Sequence, residues 1–119
     1  MPRKRILVKS IDTSISYQVI GIDLAKHLVS ACLITGAGEI FGIDRLTYDD
    51  LLKSAERMSP TLFCMEPCPE VHYLAEKLQG YGHHTKVIDG AAVKEYIKTH
   101  FGGQKTDLND AQAIAFLSL

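Results

Sequence analysis

Four acidic residues stand where the chain is expected to end a strand or begin a helix. They are Asp23 in V-I-G-I-D-L-A-K, Glu66 in L-F-C-M-E-P-C-P, and Asp107 with Asp110 in K-T-D-L-N-D-A. Hard divalent cations such as Mg2+ and Mn2+ take carboxylate oxygens as ligands. Two such ions about 4 Å apart stabilise the attacking and the leaving oxygen at phosphorus, and several carboxylates are needed to offset their charge. Four acids suit a two-ion site for cutting nucleic acid. Asp23, flanked by Ile22 and Leu24, carries a desolvation cost unless a partner or a cation relieves it, and Glu66 beside Met65 has the same status. Asp107 and Asp110 are three apart and share one face of a helix. The plainer alternative for them is a first-turn role, with Thr106 as the N-cap and Asp110 facing water.

Lys26 and Lys105 lie close in sequence to these acids and are candidates to steady a phosphate, as is Lys98 in the later basic stretch; solvated surface lysines are the alternative. Arg3, Lys4, Arg5 and Lys9 crowd the start, while Lys86, Lys94, Lys98 and Lys105 with His83, His84 and His100 fill the later part. Either cluster could meet phosphates, or be a frayed terminus and solvated helix faces. The formal net charge of -1 shows no global excess of the kind that nucleic-acid binders usually carry.

A chain of 119 residues, 46% hydrophobic and 23% charged, is expected to be one globular domain. It has neither an apolar run of bilayer length nor a secretory signal, so a cytoplasmic location without membrane association is expected. Three cysteines in such a chain point to reduced thiols. Cys64, Cys68 and His72 form an incomplete zinc set, three ligands between prolines with no second cysteine pair.

Residues 1–16 are polar and read as an irregular extension. From there Tyr17–Leu24, Leu28–Thr35 and Glu39–Leu46 read as an antiparallel meander, with Gly36–Gly38 as a hairpin turn. Thr47 resembles an N-cap, with Asp49 and Asp50 in the first turn and an apolar stripe of Leu51, Leu52, Ala55 and Met58. Thr61–Met65 is a short buried strand. A helix opened by Pro69 runs to about Leu78, followed by a strand at Thr85–Ile88 and a helix over Ala91–Lys98. A glycine-bearing loop then leads to a last helix beginning at Asp107. The order βββαβαβα, a mixed five-stranded α/β sheet flanked by helices, matches the ribonuclease H-like, RuvC resolvase-like fold. In that fold the first strand of the meander is central, the fourth strand is its neighbour, and a late helix crosses near their ends, so the four acids would converge.

The motifs G-I-D-L-A-K, L-I-T-G-A-G-E, M-E-P-C-P and K-T-D-L-N-D-A-Q-A-I, in that order over Val19–Leu117, resemble the DEDD transposases of the insertion sequence 110 group, to which the DNA invertase Piv also belongs. The resemblance implies that residues 17–119 are a ribonuclease H-like catalytic domain with Asp23, Glu66, Asp107 and Asp110 as its metal-binding acids. It implies metal-dependent phosphodiester cleavage and strand transfer on DNA in bacterial transposition, with nucleoid association. It also adds a guide noncoding RNA to the candidate partners; apolar surface left exposed on the last helix by a missing following region would make a second copy of the chain, as a dimer, another. Members continue into a second domain bearing a nucleophilic serine. The resemblance therefore implies an isolated or truncated N-terminal domain with that second domain absent, doubtful for full transposition, and Ser118 in the closing helix is not that serine. Two alternatives stay open: a non-catalytic module that binds nucleic acid or a transposase, and a fragment of an actin-like kinase or ATPase, whose fold also opens with a G-I-D strand. Against the latter, Leu-Ala-Lys follows Asp23 where a Gly-Thr pair would be expected.

Overall fold

A computed structural model describes residues 4–119. Arg3 of the basic start lies outside them. Alternation decides the central strand. Along β2 (Tyr17–Leu24), Ile20 and Ile22 enter one core while Val19 enters the other, on the face shared with Gly21 and Asp23. β2 pairs antiparallel with β3 (Leu28–Thr35), which pairs antiparallel with β4 (Ile40–Thr47). On its other side β2 pairs parallel with β5 (Leu62–Met65), in a register that sets Ile22 opposite Met65. β5 in turn pairs parallel with β6 (His84–Val87).

The expected extension over residues 1–16 is not wholly irregular. Arg5–Leu7 forms a strand, β1, parallel to β4 at the sheet edge. Among the described residues the sheet therefore has six strands where five were expected, in the order β1-β4-β3-β2-β5-β6.

Helices cover both faces. α1 (Tyr48–Arg57) and α2 (Val71–Gly80) bury Leu51, Ala55, Leu74 and Leu78 against Ile20, Ile22, Phe63 and Met65. α3 (Gly90–Phe101) and α4 (Asp107–Leu117) bury Val93, Ile97 and Ile114 against Val19, Ile34 and Cys64. Polar caps fix the starts of three of these helices. Thr47 Oγ1 accepts from the Asp50 N–H at 3.0 Å, Asp89 Oδ1 from Ala91 at 3.1 Å, and Thr106 Oγ1 from Asn109 at 3.1 Å. α2 starts at Val71, two residues beyond Pro69, and Glu70 makes no side-chain cap bond. This mixed α/β layering is compatible with the expected ribonuclease H-like fold. Among the described residues no helix is long and apolar enough to cross a membrane.

Candidate metal centre

Three of the four acids meet. Carboxylate oxygens of Asp23, Asp107 and Asp110 lie within 4.8 Å of one another. Asp23 stands one residue before the end of β2, on the face that α4 covers, and Asp107 and Asp110 come from the first turn of α4. Glu66 follows β5 immediately, so one further step of the β2–β5 register brings it beside Asp23. Its charge acts on Asp23, and that of Asp110 acts on it. The first turn of α3 closes over it, since a Cβ on Gly90 would stand 3.4 Å from Glu66 Oε2.

Gly21 makes this meeting possible. A Cβ there would run into the Ala111 carbonyl oxygen and stand 2.9 Å from Ala115 Cβ, so the absence of a side chain lets α4 lie directly on the strand. Ala111 and Ala115 are the matching small residues on the helix. The close approach also buries Asp110, which is only 4% exposed. The alternative of a first-turn acid facing water does not hold for Asp110, although Thr106 is indeed the N-cap.

The electrostatics follow from the crowding. Burial comes first in pushing the Asp23 carboxyl up to about 7; the charge of Asp110, a hydrogen bond with Asp107 and the charges of Asp107 and Glu66 add to it. Glu66 is raised too, by burial and then by Asp110, with Lys105 opposing. Lys105 Nζ donates to Asp110 Oδ2 at 2.7 Å, and that bond raises the lysine's own pKa. Asp110 Oδ1 is buried and has no hydrogen-bond partner among the described residues. A buried carboxylate oxygen left unsatisfied among other carboxylates is costly, and a divalent cation would relieve both the repulsion and the missing partner. The donor set is all oxygen, which suits Mg2+ or Mn2+.

Of the three lysines expected near the acids, Lys105 is at the centre. Lys26 is exposed in the β2–β3 turn, at the same end of the sheet as Asp23. That turn is held by Tyr48, whose hydroxyl donates to the Ala25 carbonyl at 2.6 Å. Lys98 is exposed on α3, but the α3 lysine that lines the groove beside Glu66 is Lys94, one turn earlier. This groove, about 520 Å³, has Ala91, Val93 and Ile97 along it and Lys105 at its border with the acids. The cysteines do not form a zinc site. Cys64 is buried with α3 and α4, Cys68 packs into the opposite core, and His72 is exposed.

A family model described as Transposase, that of the DEDD transposases of the insertion sequence 110 group, matches residues 20–119. The chain belongs to this transposase family. Among curated relatives, the transposase for insertion sequence element IS1111A of Coxiella burnetii is 29% identical over 98 residues, 82% of this chain and 26% of that protein. The transposase for insertion sequence element IS1328 of Yersinia enterocolitica is 28% identical over 96 residues, 81% of this chain and 28% of that protein. The chain thus spans about a quarter of the length of these relatives. Membership of the DEDD transposases sets aside the actin-like kinase that the opening G-I-D strand left open.

Proposed function

We propose that this chain is the metal-dependent nuclease unit of a DNA transposase, with residues 17–119 as its ribonuclease H-like domain and Asp23, Glu66, Asp107 and Asp110 as its metal-binding acids. The observation that carries the proposal is the convergence of Asp23, Asp107 and Asp110 around a buried Asp110 oxygen that has no partner among the described residues. Asp23, Asp107 and Asp110 would hold one divalent ion, and Glu66 would help complete a two-ion site. Bound there, the ions would supply Lewis-acid stabilisation of the oxygens at phosphorus.

The chain's own residues do the rest. α4 fixes Asp107 and Asp110 against the strand, and burial around Asp110 and Asp23 keeps the dielectric low where charge develops. Burial, the charge of Asp110 and a hydrogen bond with Asp107 favour the protonated form of Asp23 up to about pH 7, and a bound cation would displace that proton. Lys105 is placed to meet a phosphate once it leaves Asp110. Lys94 and the apolar floor of the groove beside Glu66 offer a path for the sugar-phosphate chain that leads to the acids. Lys26, exposed in the β2–β3 turn at the same end of the sheet, would be a further phosphate contact.

The test is incubation of the chain with branched DNA in Mn2+, beside the Asp110→Asn variant. Cleavage that leaves 3′-hydroxyl ends and is lost in the variant supports the proposal. DNA that is bound equally by both proteins and cut by neither favours a non-catalytic binding module.

A further inference from the structure

The strand at the sheet edge reaches the helix that carries Asp107 and Asp110 through the side chain of Arg5. Arg5 lies on β1 opposite Ile40, and its aliphatic stem crosses Gly42, where a Cβ would stand 2.9 Å from Arg5 Cδ. Arg5 Nη1 donates to Gln112 Oε1 at 2.9 Å and to Asn109 Oδ1 at 3.2 Å. Asn109 and Gln112 are three apart on α4 and share a face, and Asn109 immediately precedes Asp110 in sequence. Asn109 is 6% exposed, and its Nδ2 donates onward to the Gln104 carbonyl at 2.8 Å. Both ends of its amide are therefore fixed: one by Arg5, the other by the loop that carries Lys105.

We infer that Arg5 is a positioning residue for the acidic centre, clamping the first turns of α4 and, through Asn109, the Gln104–Lys105 loop, so that Asp107 and Asp110 meet Asp23. The inference rests on the metal-site proposal above. A cation beside a helix N-terminus runs against the helix dipole, so the charge of Arg5 is no source of stability for α4 itself. Its contacts are hydrogen bonds to two neutral amides, which fix orientation. Glycine at position 42 keeps the path of the stem open. The family match begins at residue 20, so the strand that supplies this clamp lies outside the matched stretch. Groups that orient metal ligands from behind commonly change metal affinity by about 10–100-fold when removed.

The experiment compares wild type, Arg5→Met and Val8→Ala over the whole chain. Arg5→Met keeps a stem over Gly42 and removes both hydrogen bonds. Val8→Ala loosens the same segment, where Val8 packs into the core, without touching the clamp. Two readouts are taken well below each protein's melting temperature: Mn2+ affinity by calorimetry, and amide hydrogen exchange over residues 104–112 without metal. Arg5→Met is expected to bind Mn2+ about tenfold more weakly and to exchange faster over that segment, while Val8→Ala matches wild type in both. Unchanged affinity and exchange in Arg5→Met, or equal losses in Val8→Ala, would overturn the inference. Wild type that takes up no Mn2+ would defeat the metal-site proposal, and the exchange comparison would still decide whether the clamp exists. Should Arg5→Met unfold, Arg5→Lys, which keeps the stem and a single donor group, carries the same readouts.

Discussion

Replacing Asp23 by asparagine should make the metal-free protein more stable, and the gain should depend on pH. The Asp23 carboxyl is raised from 3.8 to about 7, first by burial and then by its acidic neighbours. Between those values the folded chain holds a proton that the unfolded chain has released. Stability linked to this group is therefore fully present below 3.8 and is lost as pH rises through 7. A fully shielded group with such a shift would contribute about 4 kcal/mol. Asp23 is open to water on one side, and screening there brings the figure to about 2 kcal/mol. Asp23→Asn removes the charge. At pH 8 in chelator it should melt roughly 6–10 °C above wild type, and at pH 4 the two should nearly coincide. Glu66, raised in the same direction, leaves a smaller slope of the same sign in the variant. Mn2+ should reverse the order, since metal at a hundred times its dissociation constant adds about 2.7 kcal/mol to wild type and should add little to the variant. Calorimetric melting from pH 4 to 8, with and without Mn2+, checks this. A variant no more stable than wild type at pH 8 without metal would refute the crowded-carboxylate argument.

Other expectations follow from the same contacts. Gly21→Ala forces a methyl group against the Ala111 carbonyl and should cost about 2–3 kcal/mol in urea unfolding, with weaker Mn2+ binding as α4 is pushed away. Lys105→Met removes a cation from Asp110 and should tighten Mn2+ binding roughly fivefold, or about 1 kcal/mol, while weakening DNA binding and lowering its salt dependence; calorimetry and fluorescence anisotropy measure the two. Thr106→Ala removes the N-cap of α4 and should cost about 1 kcal/mol in chemical denaturation. Apparent Mn2+ affinity should rise with pH up to about 7 and level off above, because the proton on Asp23 competes with the ion.

Much of this arrangement could be read from the sequence because the acids lie at places with strong local signals. Val19, Ile20 and Ile22 mark β2 as buried, and T-D-L-N-D opens a helix by its cap and first-turn charges, which the structure bears out at Thr106 and Asp107. β1 escaped because three residues on a sheet edge have no period to detect, and their partner strand is more than thirty residues away. The role of Gly21 escaped for a different reason. Within V-I-G-I it reads as a weak point in a strand, and only the tertiary approach of α4 shows that a methyl group has no room there. Arg5 looked like part of a basic terminus, since its amide partners on α4 lie over a hundred residues on. Which lysine of α3 borders Glu66 depends on the packing of that helix against the sheet, and the structure puts Lys94 along the groove.

The most direct measurement is the crystal structure of the chain grown with Mn2+, with anomalous scattering recorded at the manganese edge. If the acids form a metal centre, an anomalous peak lies among the carboxylates of Asp23, Asp107 and Asp110, and Lys105 has moved off Asp110. An acidic cluster without anomalous density at saturating Mn2+, with the Lys105–Asp110 pair intact, would contradict it.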